Sequence, residues 1–117
     1  MDLSIAVQKH AEWKTKLRSA IMKQEQLDVA SISKDNCCEL GKWLHGEGKA
    51  QFGQFESFGE CIKKHADFHL EAGKVANFIN EKKYPEAEAL LEPGSPYSSA
   101  SNVVGLAIMR LKKETSK

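Results

Sequence analysis

The sequence has no long apolar run, no excess of charge of either sign and almost no strand pattern, and each lack excludes a class of protein. No stretch approaches the roughly 18 apolar residues of a membrane span, and no basic-then-apolar segment opens the chain, so neither a membrane anchor nor a secretory signal is read in it. With 17 basic residues against 16 acidic ones the formal net charge is +1, which gives no electrostatic footprint for nucleic acid or for an anionic membrane surface. A Gly-rich phosphate loop, a Gly-x-Ser-x-Gly elbow and an acidic metal loop are all missing. Cysteine is scarce and odd in number, at positions 37, 38 and 61. Neighbouring cysteines rarely bridge each other, so this is no disulfide framework, and 117 residues can bury a core without one. Reduced thiols and no export signal predict a cytoplasmic protein.

What is present is helical spacing. Leu3, Ala6, His10, Trp13, Leu17 and Ala20 recur at alternating steps of three and four, which predicts a first helix with one buried seam. The polar stretch from Gln24 to Ser33 reads as a connection. A short second helix is expected to start near Ser33 or Asp35 and to carry Leu40, Trp43 and Leu44, ending at Gly46 and Gly48. After a loop containing Gly53, Phe55, Phe58, Ile62, His65, His69, Ala72, Ala76 and Ile79 predict a long helix with one stripe. Pro85 opens a short helix reaching Leu91. Ser95 and Pro96 then start a last helix on Tyr97, Ala100, Val104, Ala107 and Leu111. The expectation is an all-α single domain over residues 1–113, a four-helix bundle with an additional short helix before the last one, and a frayed tail over 114–117.

Three of the four histidines, His10, His65 and His69, sit on these seams, while His45 lies off them and reads as solvated. A buried imidazole without a partner costs about 1–3 kcal/mol, so three at once need a common explanation. His65 and His69 stand at i and i+4, with both rings on one helix face, and His10 arrives from a neighbouring helix. One metal ion would satisfy all three. The alternative is three core histidines, each bonded to a backbone carbonyl or a serine.

A thiolate is available as a fourth donor. With Asp35 as cap, Cys38 would fall at the third helical position, where free amides and the helix dipole favour the anion. Gly41, on the same side, would admit a neighbouring helix or its imidazole. Three imidazoles and one thiolate suit Zn2+ in a closed tetrahedral site. Spacing leaves the choice of cysteine open. Cys37 shares the face of Leu40, Gly41 and Leu44 and by periodicity is the more buried of the adjacent pair. Cys61 is one turn before His65, but Ile62 holds the seam there, so it reads as a half-buried small hydrophobe. Trp13 and Trp43 read as packing beside the site.

The ordered set of His10 with Trp13, then Cys38-Glu39-Leu40-Gly41-Lys42-Trp43, then His65-Ala66-Asp67-Phe68-His69, resembles the chemoreceptor zinc-binding (CZB) domain family. The resemblance runs from about Ala6 to Leu111 and includes the Gly94-Ser95 and Tyr97 region. It implies that Cys38 is the ligating cysteine and that the metal set is His10, Cys38, His65 and His69. It further implies a non-enzymatic, zinc-binding helical bundle, commonly a homodimer, that controls a chemoreceptor or a diguanylate cyclase. Family members are associated with sensing zinc, or with sensing hypochlorous acid through oxidation of a zinc-bound cysteine, here Cys38. A purely structural zinc bundle serving dimerisation is the main alternative.

Other helical bundles fit less well. A hemerythrin-like di-iron site needs inward carboxylates, and these seams carry no Asp or Glu. A haem needs room that Trp13, Trp43, Phe58 and Phe68 are expected to fill. Hydrolysis at zinc needs an open coordination position, which a fourth protein ligand closes.

Overall fold

The computed structural model describes residues 1–116, and among them every regular element is helical. The helices are α1 (Leu3–Ala11), α2 (Trp13–Lys23), α3 (Val29–Ser33), α4 (Glu39–Leu44), α5 (Glu47–Phe52), α6 (Glu56–Asn80), α7 (Tyr84–Leu90) and α8 (Pro96–Thr115). The all-α expectation holds, but the number of helical segments is larger than the pattern suggested. The seam from Leu3 to Ala20 is divided at Glu12, which keeps right-handed helical dihedrals, donates to the Gln8 carbonyl and accepts from the Lys16 amide. The Gln24–Ser33 stretch, expected as a connection, contains the one-turn helix α3, whose cap Asp28 accepts from the Ser31 amide. The expected Gly53 loop is preceded by α5, with Gly48 buried inside it. Both missed helices are too short to show a period; a side-chain cap and packing hold α3, and packing alone holds α5.

Helix α6 is the axis of the fold, about 37 Å long at 1.5 Å per residue. It packs against α8, α3, α7, α2 and α4, while α1 lies along α8. Because it is covered on several sides its buried surface is wider than one stripe. Ser57, Cys61, Phe68, Gly73 and Val75 are buried beside the seam residues Phe58, His65, His69, Ala72, Ala76 and Ile79. This reverses two expectations: Cys61 is completely buried, and Ile62 is the half-exposed neighbour. On α8 the buried residues are Tyr97, Val104, Ile108 and Leu111, with Ala100 and Ala107 only half-buried. Ser95 caps α8 through the Ser98 amide and Pro96 stands in its first turn, as expected. The helix runs on to Thr115, through two of the four residues expected to fray, and Lys117 lies outside the described residues.

Two devices close the chain around α6. The Asn80 side chain holds the Leu27 backbone in both directions, accepting from its amide at 2.7 Å and donating to its carbonyl at 2.8 Å. Gly73 lets α3 approach, since a Cβ there would stand 2.0 Å from Ser33 Oγ. Gly59, by contrast, meets nothing within 4 Å although it lies inside α6. Gly59→Ala is therefore expected to raise stability by about 0.5–1 kcal/mol through helix propensity, a shift that urea unfolding would register.

Candidate metal centre

Two helices and one helix cap bring four donor atoms together. His10 comes from α1, His65 and His69 from α6, and Cys38 is the N-cap of α4. Cys38 thus precedes the helix instead of lying in its third position. Its Sγ accepts from the Gly41 amide at 3.3 Å, so the sulfur that faces the histidines also caps the helix. Gly41 is needed for a different neighbour than expected: the backbone carbonyl of Asp35, not an imidazole, occupies the space where a Cβ would stand. His45 is exposed and pairs with Asp35 at 2.9 Å across the same loop.

The donor atoms of His10, Cys38, His65 and His69 all lie within 4.8 Å of one another, the one such group of three or more candidate ligands among the described residues. Cys38 Sγ is 3.2 Å from His65 Nε2, 3.6 Å from His69 Nε2 and 4.0 Å from His10 Nε2. His65 Nε2 and His69 Nε2 are 3.1 Å apart. A tetrahedral zinc with bonds of about 2.0–2.1 Å to nitrogen and about 2.3 Å to sulfur spaces its nitrogens by about 3.3 Å and places each about 3.6 Å from the sulfur. The observed separations bracket those values, so the residues present fit the ion.

The tautomers agree with that fit. His10 Nδ1 donates to the Ala6 carbonyl at 2.8 Å, and His69 Nδ1 donates to the Ile32 carbonyl at 2.9 Å. A carbonyl only accepts, so both rings carry their proton on Nδ1 when neutral and turn a bare Nε2 towards the cluster. His65 Nδ1 is buried with no partner among the described residues, which leaves its Nε2 contacts as that ring's polar environment. Lone-pair nitrogens facing a sulfur at these distances require a cation or a shared proton between them. Ile32 is a participant that sequence reading missed, because α3 was taken for a connection. The Asp28-x-x-Ser31 cap was the available signal.

The surroundings are apolar. Phe68 is completely buried against His10 and His69, with ring centroids 5.4 Å away in each case. Trp13 is half-buried with its ring 6.5 Å from that of His69. Trp43 turns instead to Phe52 and Phe58, at 6.0 and 5.9 Å, and does not border the histidines as expected. Of the cysteines, Cys37 is exposed and Cys38 is the more buried of the pair, reversing the periodicity argument. Cys61 is outside the donor group, and burial pushes its thiol up to about 12, which keeps it protonated and inert.

Burial shifts the cluster towards neutral histidines. Desolvation lowers His65 to about 2 and lowers His10 and His69, whose carbonyl partners oppose the shift in part. Burial raises the Cys38 thiol, while the amides of Gly41 and Leu40 favour the thiolate, and a bound cation would favour it further. The stability consequence has a definite sign. Each histidine binds its proton more weakly folded than unfolded, so its contribution is complete above about pH 6.5 and is lost as pH falls towards the folded value. Metal-free protein is expected to lose up to about 1.4 kcal/mol per pH unit per histidine below that point, measurable by urea unfolding between pH 7.5 and 5. Constant stability across this range would contradict the burial of neutral imidazoles.

A family model described as the chemoreceptor zinc-binding domain matches residues 10–76. Neither the curated proteins nor the solved structures contain a match to the chain. The matched segment holds all four donors, ends before α7 and α8, and is shorter than the resemblance read from the sequence. It covers more than half of the 117 residues, and the chain belongs to this family.

Proposed function

We propose that this family member is a zinc-binding regulatory domain of bacterial signalling, with His10, Cys38, His65 and His69 as the metal ligands. The observation that carries the reading is the convergence of three imidazoles and a thiol, with two tautomers held so that Nε2 is bare. Zinc would supply the positive charge that three neutral donors and one anion can share. Four protein donors leave no position for a catalytic water, which supports a non-enzymatic role. The absence of any carboxylate from the donor group speaks against a di-iron site.

Cys38 is the residue through which the site can respond. It is the one anionic donor and also the cap of α4, and it is half-buried while His65 and His69 are buried. An oxidant such as hypochlorous acid that converts the thiolate to sulfenic acid removes the best donor and weakens the cap in the same step. The input is then either zinc occupancy or oxidation, and the output passes to a chemoreceptor or a diguanylate cyclase in the cytoplasm. A homodimer is the expected assembly, and we read α1 with α2, α4, α6 and α8 as the four principal helices of a bundle. Among the described residues no helix is long and apolar enough to cross a membrane.

A structural zinc that only holds the helices together is the second reading, favoured by the depth of the α6 histidines. Elemental analysis of protein purified without chelator tests the metal, with about one zinc per chain expected. Hypochlorous acid separates the two readings. Stoichiometric oxidant should release zinc and leave a sulfenic acid trapped at Cys38, whereas release only at large excess and with general damage would leave the structural role.

A further inference from the structure

The four donors are not held alike. His65 and His69 belong to the central helix and line neither of the cavities that border His10, and His69 is anchored to Ile32 on α3. Cys38 is held by the Gly41 amide. His10 alone comes from α1, a helix that packs along α8, and its only described hydrogen bond outside the cluster is to Ala6 on that same helix. Its Nε2 is also the donor farthest from Cys38 Sγ, at 4.0 Å against 3.2 and 3.6 Å for the other two.

His10 is flanked by surface cavities on two sides. One, of about 380 Å³, lies between α1 and the start of α4 and reaches both His10 and Cys38 between Ile5, Trp13 and Leu40. The other lies between α1 and α8 beside Gly105 and Leu106. α1 and α2 are separate helices that meet at Glu12, which gives α1 a joint at which to tilt. The ring and its carbonyl partner stand on the same helix, with open space on two sides of it.

We propose that His10 is the exchangeable ligand and that the cleft between α1 and α4 is the route by which metal is exchanged with small donor molecules. The inference rests on the zinc reading above. His65, His69 and Cys38 form a three-donor seat that keeps the ion. Withdrawal of His10 opens a fourth position towards the cleft, where an imidazole or a thiol of an acceptor can bind in its place. The docking of α1 thereby becomes a function of metal occupancy, since metal ligation joins α1 to α6 and to the cap of α4.

The test uses the full chain loaded with zinc and an excess of a colorimetric zinc chelator. His10→Ala is expected to keep about one zinc per chain and to transfer it about tenfold faster than the unaltered chain, whereas His69→Ala retains none after desalting. With cobalt in place of zinc, added imidazole should change the visible spectrum of His10→Ala and leave that of the unaltered chain as it was. Ile5→Trp, which narrows the cleft without touching a donor, should slow transfer about threefold. Zinc loss from His10→Ala as complete as from His69→Ala, or transfer at the unaltered rate, overturns the assignment of His10. Unchanged transfer from Ile5→Trp overturns the cleft as the route, and this variant does so even if His10→Ala fails to fold. An unaltered chain that binds no zinc overturns the zinc reading and this inference together, a result distinct from all the others.

Discussion

Replacing His65 with leucine is expected to lower zinc affinity by two orders of magnitude or more while leaving the metal-free fold as stable as before, or about 1 kcal/mol more stable. The loss follows from the roughly 10–16 kcal/mol of a structural zinc site, about 2.5–4 kcal/mol per donor on average and more for the two on α6, at 1.4 kcal/mol per tenfold change. The absence of any folding penalty follows from the position. His65 is completely buried and its Nδ1 has no partner among the described residues. Without metal its polar contacts are Cys38 Sγ and His69 Nε2 alone, and leucine occupies a similar volume with no polar atom to satisfy. Zinc titration monitors the first effect, and urea unfolding with chelator present monitors the second. A metal-free variant weaker by more than about 2 kcal/mol would mean that the imidazole itself anchors the core.

Gly41→Ala is expected to be the most damaging single-methyl change in the chain, costing about 2–4 kcal/mol and most of the zinc affinity. Its Cβ would lie 1.8 Å from the Asp35 carbonyl oxygen, 2.8 Å from the Asp35 carbonyl carbon and 3.1 Å from Asn36 Cα. All three are backbone atoms of the turn leading to Cys38, so no rotamer change relieves the clash. The turn must move, and with it the sulfur that accepts from the Gly41 amide and faces the histidines. The His45–Asp35 pair spans the same loop, but it is too exposed to hold the turn against such a clash. Thermal unfolding and zinc titration on Gly41→Ala and Gly59→Ala together provide the comparison. Equal, small effects at the two positions would show that the turn is free to shift.

The histidines were legible in the sequence because a helix repeats locally. His65 and His69 share a face by virtue of 3.6 residues per turn, whatever surrounds them, and His10 shares the apolar seam of Leu3, Ala6 and Leu17. The long helix α6 and the capped start of α8 at Ser95-Pro96 were legible for the same reason, since both signals lie within one or two turns. Helices α3 and α5 were not. At five and six residues they contain no repeat to read, and their existence depends on what they pack against.

The cysteines divide along the same line. From the residues alone Cys37 looked the more buried of the adjacent pair and Cys61 looked half-exposed, and both readings assumed regular helix around them. The chain instead makes a turn through Asp35 and Asn36, which puts Cys37 outside and Cys38 at the cap. The packing of α6 on several sides buries Cys61 beyond reach of the site. Charge balance, the all-helical class, three seam histidines and an ordered set of motifs were thus determined by the sequence itself, through periodicity and residue chemistry. That the Cys38 sulfur caps α4 while facing them, how the Ile32 carbonyl orients His69, and that His10 stands on a separately packed helix beside open space were decided by the tertiary structure. These are contacts between segments distant in the chain, and no local period encodes the distance between them.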